Sequence, residues 1–317
     1  MMGPFLTQPC SGASSTWKEA ALCQFDRIIV VDWSAAATLT AKVPCANAIW
    51  IGIADENGDR TDYFRTRSAA ESALQAHINS GVRLLIGVDF PLGFPIGFGQ
   101  ELLGSDDPSG LWQWVASQIT DAPDNSNNRF HVAQRVNLAI GEPKGQMGPF
   151  WGCPNGLGLK GLSPKKSIDY SSLGFAEKRL CEKMVPKSQA IWKLYTTGSV
   201  GSQSLMGMGM IARLLARGAK AWPFDPVVAQ DQIVLAEVYP SLIDPAVFHA
   251  VGSGQIKDAA QTQLLARALF NVMEANGLKA LFESPPQTAQ VLSEGWILGI
   301  GHQAQLLAAL KWAADDA

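Results

Sequence analysis

The sequence predicts an α/β fold organised around a mixed β-sheet. Three features support this prediction: an apolar run at residues 28–31, a hairpin signal at Asn57-Gly58, and a helical pattern that precedes another apolar run at residues 84–88. The resulting order is strand, strand, strand, helix, strand. Such an order favours three antiparallel strands followed by a parallel crossover. The chain has 317 residues, of which 47% are hydrophobic, and this is ample for a core.

The first three predicted strands differ in character. Residues 28–31 are four consecutive β-branched residues, which indicates a strand buried on both faces. Residues 48–54 are mostly apolar and predict the second strand, whereas residues 60–67 alternate in character and predict the third. Because the Asn-Gly between them is a favoured hairpin dipeptide, we expect the second and third strands to be antiparallel neighbours.

Helix and strand patterns also mark the later chain. A helix is predicted for residues 68–80, with Ser68 as its N-cap. Residues 233–239 form a further strand pattern, and residues 219–224 form a weaker one. Residues 257–274 have the amphipathic spacing of a long helix.

A single domain is predicted to span residues 25–317. Residues 96–186 lack a good strand pattern and are rich in Pro, Gly, Asn and Trp, which predicts a helical and loop-rich insertion within that domain. Residues 1–24 predict a leader before the first strand. No segment approaches the roughly 18 uninterrupted apolar residues of a membrane helix, and five scattered cysteines without CxxC spacing indicate reduced thiols. We therefore expect a cytoplasmic protein without a membrane partner.

The charge distribution bears on the choice of partner. The formal net charge of −3 and a pI near 5.8 give no general attraction to nucleic acid. Residues 156–195 are the exception, since they contain eight basic and three acidic residues. This window predicts either a solvated helix face or a phosphate-contacting surface. A nucleic-acid or nucleotide substrate is therefore compatible with the sequence, and the oligomeric state is not readable from it.

Acidic side chains end or interrupt three predicted strands. Asp32 and Asp89 each follow an apolar run, Glu237 lies inside the run at residues 233–239, and Asp258 begins the late amphipathic helix. A buried carboxylate is costly without a partner. Carboxylates that converge at one sheet edge suit Mg²⁺ or Mn²⁺ and are typical of two-metal phosphodiester hydrolysis. All four are therefore candidate catalytic residues. The alternatives are a turn-capping role for Asp32, a turn-forming role for Asp89, an exposed edge face for Glu237 and a charge that complements the helix dipole for Asp258.

We expect Asp32, Asp89 and Asp258 to bind the metal, with Asp32 bridging two ions. Glu237 is expected to complete the shell or to orient water.

Candidate substrate contacts lie in a glycine- and hydroxyl-rich stretch at residues 186–203. This stretch directly precedes a predicted helix, and the backbone amides of a helix start can bind an anion. Its residues Lys193, Ser199 and Gln203 are expected to contact substrate, as is Ser34 after the first strand. The spacing matches neither a Walker loop nor a dinucleotide fingerprint, so a plain helix N-cap is the alternative.

Several motifs together resemble a bacterial and archaeal family of predicted nucleases with an RNase H-like fold. They are Val31-Asp32-Trp33-Ser34-Ala35, residues 87–95 (GVDFPLGFP), residues 198–203 (GSVGSQ), residues 236–241 (AEVYPS) and Lys257-Asp258-Ala259-Ala260. The resemblance implies a five-stranded mixed sheet whose first three strands are antiparallel, flanked by helices. It also implies that Asp32 is the first-strand carboxylate, Asp89 the fourth-strand carboxylate and Asp258 the helix carboxylate.

Two other functions are compatible with the same residues. An Asp followed by a hydroxyl residue after the first strand would also suit an actin-like, ATP-dependent phosphotransferase, although no second copy of the motif occurs in the chain. A non-catalytic protein that binds a nucleotide or another small molecule is the third interpretation. The carboxylate set favours the first, a nuclease or phosphoesterase dependent on Mg²⁺ or Mn²⁺.

Overall fold

A six-stranded mixed sheet with helices on both faces forms the centre of the protein. The computed structural model describes residues 23–185 and 187–311. The strands are β1 (Arg27–Asp32), β2 (Ile49–Asp55), β3 (Gly58–Phe64), β4 (Leu84–Val88), β5 (Lys220–Trp222) and β6 (Ile233–Glu237). This confirms the predicted α/β class. The predicted number of five strands is wrong, because the weak pattern near residue 220 forms a sixth strand at the sheet edge.

Helices in the described residues fall before, within and after the predicted insertion. They are α1 (Arg67–Asn79), α2 (Phe98–Leu103), α3 (Pro108–Gln118), α4 (Arg129–Gly141), α5 (Tyr170–Leu173), α6 (Leu180–Met184), α7 (Val200–Leu215), α8 (Asp244–Gly252), α9 (Lys257–Glu274), α10 (Leu278–Glu283), α11 (Ala289–Glu294) and α12 (Gln303–Ala309). Short 3₁₀ turns occur at Glu142–Lys144 and Pro240–Ile243. None of the helices in residues 23–185 and 187–311 is long and apolar enough to cross a membrane.

The strand order β3-β2-β1-β4-β6-β5 places the ends of three central strands together. β1 pairs antiparallel with β2 and parallel with β4, and β4 pairs parallel with β6. In this register Val31 lies opposite Val88, and Val88 lies opposite Glu237. The carboxyl ends of β1, β4 and β6 therefore form one edge, which is where the sequence places its acidic residues.

Alternating side chains of the central strands divide the core into two layers. Ile29 and Val31 of β1 point to one face, where they pack with α1, α7 and much of the insertion. Ile28 and Val30 point to the other face, where they pack with α9 and the C-terminal helices. Because both faces are covered, the buried strands are almost continuously apolar, as is usual for parallel sheets.

The insertion is part of the main core. Between β4 and β5 the described residues form helices and isolated β-bridges, and none of these bridges extends into a strand. The centre of the Trp192 ring lies 5.0–6.0 Å from the centres of neighbouring aromatic rings, including 5.0 Å to Phe98, 5.3 Å to Phe150 and 5.4 Å to Phe175. These contacts join separate parts of the insertion to the layer beside β4.

Several boundaries differ from the prediction by one to three residues, and two of them show why. α1 begins at Arg67 and its N-cap is Thr66, whose side chain accepts a hydrogen bond from the Ala69 amide, so Ser68 is not the cap. β3 ends at Phe64, before the predicted residue 67. Residues 1–22 of the predicted leader lie outside the described residues.

Gly52 allows α9 to lie directly against β2. A Cβ atom on Gly52 would come within 2.2 Å of the backbone carbon and oxygen of Thr262. Backbone atoms of a packed helix have little freedom to retreat, so this contact needs a residue without a side chain at position 52. The same close approach carries the first turn of α9 to the carboxyl end of β1.

We expect Gly52→Ala to lower the free energy of unfolding by about 3 kcal/mol, because the added methyl group displaces α9 from the sheet. Urea unfolding followed by circular dichroism measures the change. Gly156→Ala is the matched control, since a Cβ atom there meets no atom within 4 Å. Equal stability of the two variants would show that α9 tolerates a wider separation from β2.

Candidate functional site

A cavity of about 430 Å³ lies at the carboxyl edge of β1 and β4. Its lining includes six of the eight residues predicted for the site: Asp32, Asp89, Asp258, Ser34, Ser199 and Gln203. The volume lies within the usual range of small-molecule sites. Strand ends, the start of α7 and the start of α9 thus meet at one place.

Asp32 and Asp89 sit side by side because β1 and β4 are parallel neighbours. Asp32 is the last residue of β1, Asp89 directly follows β4, and the Asp89 amide donates a 2.9 Å hydrogen bond to the Val31 carbonyl. Both side chains are partly buried. No described residue donates a hydrogen bond to either carboxylate, so the two groups face the cavity without a protein partner.

Asp258 reaches the cavity from the first turn of α9. One of its oxygens accepts a 2.6 Å hydrogen bond from the Asn47 amide. Asn47 adopts a left-handed conformation with φ of 58°, which is tolerated better by Asn than by most residues. The loop before β2 therefore fixes Asp258, whereas Asp32 and Asp89 have no such anchor.

Burial and mutual repulsion shift the titration of the carboxylates. Burial raises the pKa of Asp32 well above its ordinary value, and the charges of Asp89 and Asp258 add to the effect. Burial, followed by the charges of Glu237 and Asp258, raises the pKa of Asp89 to about 7. Lys257 opposes both shifts. A bound cation would relieve this repulsion more strongly than one exposed lysine does.

The donor chemistry at the cavity fits Mg²⁺ or Mn²⁺. Asp32, Asp89 and Asp258 offer hard oxygen ligands, and the first two are unpaired within the part of the chain that is described. No three Asp, Glu, His or Cys side chains in residues 23–185 and 187–311 are grouped closely enough to hold an ion as they stand. The fit is therefore one of donor type and charge, and not of a completed ligand set.

The other polar residues predicted for the cavity lining mostly support the loop after β1. Gln203 donates a 2.7 Å hydrogen bond to the Trp33 carbonyl. The Ser34 hydroxyl accepts from the Ala36 amide at 3.2 Å and donates to the Asn47 carbonyl at 3.3 Å. Ser199, by contrast, makes no side-chain cap at the start of α7. Its hydroxyl is the one predicted contact that has no other bond among the described residues.

Lys193 is not part of the cavity lining. Its ammonium group donates a 2.6 Å hydrogen bond to the Thr197 carbonyl and lies 5.7 Å from the centre of the Trp151 ring. None of the eight basic residues at 156–195 lines the cavity. Several of them are occupied by other partners, such as Lys166 by Glu177 and Lys187 by Asp244. The predicted phosphate contact of Lys193 does not fit this arrangement.

Glu237 is buried beside the cavity and does not line it. Its carboxylate forms a bidentate ion pair with Arg179, at 2.6 and 2.7 Å, and accepts a 3.1 Å hydrogen bond from the Leu92 amide. Both oxygens are thus engaged, and the predicted role as a ligand or water-orienting group does not fit. Glu237 instead acts on the site through its charge, which raises the pKa of Asp89.

Two arginines that sequence reasoning did not single out help to form the site. Arg67 is 2% exposed and forms a bidentate pair with Asp121, at 2.6 and 2.7 Å. Its Nη1 donates to the carbonyls of Ser34 at 3.0 Å and Ala36 at 2.8 Å, which holds the loop after β1 in place. Arg129 of α4 lines the cavity directly.

The sequence contains one weak signal that these arginines have a structural role, because each stands at or near the start of a helix. Nothing in the neighbouring sequence indicates which distant residue each arginine binds. The predicted third strand ends at Arg67, and Arg129 lies in the predicted insertion at residues 96–186. Both act on residues far away in the chain, since Arg129 binds Ser202, 73 positions later.

Comparisons of the chain with protein-family models, with curated proteins and with solved structures give no match. The geometry and chemistry of the cavity therefore support the functional argument on their own.

We expect Glu237→Gln to lower the free energy of unfolding by about 3 kcal/mol, because it leaves the buried Arg179 charge with one carboxylate fewer. If the cavity binds Mn²⁺, its affinity should stay within a few-fold of the wild-type value, since both Glu237 oxygens are engaged by Arg179 and Leu92. Chemical denaturation and calorimetric titration measure the two quantities. A loss of Mn²⁺ affinity comparable to that of Asp32→Asn would instead identify Glu237 as a ligand.

In metal-free protein, Asp89→Asn should be more stable than the wild type above pH 7. The pKa of Asp89 rises from 3.8 to about 7 on folding, so the folded state binds the extra proton and wild-type stability falls as pH rises between these values. The Asp89→Asn variant has no titrating group at position 89 and does not lose stability in this way. Its advantage should be close to zero near pH 4 and should reach up to about 4 kcal/mol at pH 8.

Urea unfolding in the presence of a chelator at pH 4, 6 and 8 measures this trend. Glu56→Gln removes an exposed charge from the β2–β3 turn, at the opposite end of the sheet from Asp32, and serves as the control. A pH-independent difference between Asp89→Asn and the wild type would contradict the raised pKa.

Proposed function

We propose that this protein is a metal-dependent phosphoesterase of the nuclease type that acts at the cavity formed by Asp32, Asp89 and Asp258. The observation that supports it most is the pair of unpartnered carboxylates on adjacent parallel strands, joined at the cavity by a third carboxylate from α9. Carboxylates concentrated in this way without a protein partner favour a divalent cation, because the cation stabilises their charged forms. Phosphodiesters are the substrates that such carboxylate sites usually serve.

The RNase H-like part of the proposal is supported by topology. Strands β3, β2, β1, β4 and β6 form a five-stranded mixed sheet whose first three members are antiparallel, and β5 is an added edge strand. The antiparallel pairing of the first three strands is the one that the family resemblance implies, whereas the sixth strand is additional to it. The three carboxylates that the resemblance assigns to the first strand, the fourth strand and a late helix are those that line the cavity.

In this proposal the residues of the chain divide the work. Asp32 and Asp89 would hold the cation from the sheet edge, and Asp258 would hold it from α9. The ion, Mg²⁺ or Mn²⁺, supplies positive charge that polarises the phosphate. Ser199 offers a free hydroxyl to a phosphate oxygen, while Gln203 and Arg67 keep the loop after β1 in position.

The test is calorimetric titration of Mn²⁺ into metal-free wild type, Asp32→Asn and the control Glu56→Gln. We expect one or two ions to bind the wild type and the control, and Asp32→Asn to lose about tenfold or more in affinity because a direct ligand is removed. Hydrolysis of bis(p-nitrophenyl) phosphate in Mn²⁺ should fall about a hundredfold or more in Asp32→Asn.

Absence of Mn²⁺ binding by the wild type, with and without a phosphate ester present, would overturn the proposal. Binding that survives in Asp32→Asn would place the ion elsewhere. Binding without hydrolysis of any phosphodiester would favour a non-catalytic nucleotide-binding protein.

A further inference from the structure

Arg129 is a buried cation with no anionic partner among the described residues. Its residue exposure is 9%, its Nε donates to the Ser202 hydroxyl at 3.0 Å, and its Nη1 donates to the Asn127 side-chain oxygen at 2.8 Å. Both acceptors are neutral. No described residue accepts a hydrogen bond from Nη2, and the side chain lines the cavity.

Such an arrangement is unusual for an arginine with so little exposure. Buried charges are normally paired, because removing a guanidinium from water costs several kcal/mol. The other buried arginines follow this rule: Arg67 pairs with Asp121, and Arg179 pairs with Glu182 and Glu237. The charged residue that affects the pKa of Arg129 is another cation, Arg67. Burial, together with the Arg67 charge, lowers the pKa of Arg129 to about 10.

The neutral partners of Arg129 hold it in a fixed orientation. Ser202 is 1% exposed and its hydroxyl donates a 2.6 Å hydrogen bond to the Leu194 carbonyl, which leaves its oxygen to accept from Arg129. The guanidinium plane also lies over the Phe130 ring, with 4.3 Å between Cζ and the ring centre. A rigid guanidinium with a free donor edge is well suited to bind phosphate oxygens.

The cavity lining therefore carries groups of opposite charge. Asp32, Asp89 and Asp258 supply carboxylates, and Arg129 is the one cationic side chain in the described lining. The carboxylates do not neutralise Arg129, since it forms no ion pair with any of the three and the charge that acts on its pKa is that of Arg67. A ligand that satisfies both kinds of group carries an anionic group for Arg129 and a phosphate that a cation can link to the carboxylates.

We propose that Arg129 is the anion-binding residue of this cavity, and that the substrate is a compact phosphoester with a second, terminal phosphate. The assignment of substrate class rests on the proposed function, whereas the binding of an anion by Arg129 does not. A volume of about 430 Å³ accommodates a group of nucleotide size. The overall charge of −3 agrees with a small substrate, because duplex binding normally requires an extended basic surface.

The experiment measures binding of inorganic phosphate to metal-free protein by calorimetry. Arg129→Gln removes the charge, and Arg129→Lys keeps the charge without the forked geometry. Arg135→Gln, on the exposed face of the same helix, is the matched control. We expect wild type and Arg135→Gln to bind phosphate equally, Arg129→Gln to bind about tenfold or more weakly, and Arg129→Lys to fall between them.

Thermal unfolding of each variant identifies any that fails to fold. If Arg129→Gln does not fold, two other measurements test whether Arg129 binds phosphate. They are the phosphate affinity of Arg129→Lys and the phosphate-induced shift of the Arg129 side-chain NMR signal in the wild type. Equal phosphate affinity in wild type and in a folded Arg129 variant, or an unshifted Arg129 signal at saturating phosphate, would overturn the proposal.

Comparison with the Mn²⁺ titration separates the two proposals. Phosphate binding that depends on Arg129, in a protein that binds no Mn²⁺, would retain the anion site and overturn the phosphoesterase. If the protein binds Mn²⁺ and the phosphate affinity of Arg129→Gln is unchanged, the phosphoesterase proposal would be retained and the anion site at Arg129 would be overturned.

With hydrolysis established, the substrate class has its own measurement. A dinucleotide with a 5′-phosphate should have a KM about tenfold below that of the same dinucleotide without it, and Arg129→Gln should remove this difference while Arg135→Gln preserves it. Equal KM values for the two dinucleotides in the wild type would contradict a terminal-phosphate substrate.

Discussion

The buried ion pair between Arg179 and Glu237 is the interaction on which the arrangement of this protein most depends. Arg179 belongs to the insertion and Glu237 ends β6, and both are almost fully buried. Arg179 also binds Glu182 and the Glu294 carbonyl. The Glu294 carboxylate in turn accepts from the Leu180 amide. Since each charge is costly to bury alone, the insertion, the sheet and the C-terminal helices have to come together for any of them to be stable.

This ion-pair network also explains why the cavity is electrostatically strained. Glu237 uses its oxygens on Arg179 and Leu92, yet its charge remains close enough to raise the pKa of Asp89. The sheet edge therefore concentrates acidic groups, of which one is satisfied by the fold and two are not. Sites that retain unsatisfied charge lose some stability in exchange for binding capacity. Arg129, which has no anionic partner among the described residues, shows the same pattern with opposite sign in the lining of the same cavity.

Much of the sheet and part of the site followed from local sequence pattern. Asp32 and Asp89 were predictable because a carboxylate directly after a buried strand has few structural uses, and parallel neighbours bring two such ends together. Glu237 has the same local appearance, but its partner Arg179 is 58 positions away in a segment with no recognisable strand. Arg129 was missed for a related reason. Its burial depends on the packing of α4 against the cavity, and its own helical pattern gives no sign of that contact.

Boundaries and edge elements were harder to predict because their signals are degenerate. Thr66 and Ser68 are both good N-caps, and the choice between them depends on Arg67, whose side chain is held inside the protein by Asp121 and the loop after β1. Three-residue β5 is too short for periodicity to mark it. Its status as a strand comes from pairing with β6. Where the chain follows tertiary contacts in preference to local propensity, single-sequence reasoning has little to use.

The contact between Asn47 and Asp258 has a consequence for how the protein is made. These residues are 211 positions apart, and Leu92 and Glu237, which also meet, are 145 apart. Contacts between residues so far apart in the chain form late in folding. Much of the chain has to be ordered, at a cost in conformational entropy, before these contacts can stabilise it. On the ribosome, a chain that lacks β6 and α9 exposes the edge of β4 and the apolar surface of β2. Nascent chains would therefore depend on rapid completion, or on a chaperone, to avoid aggregation before the cavity exists.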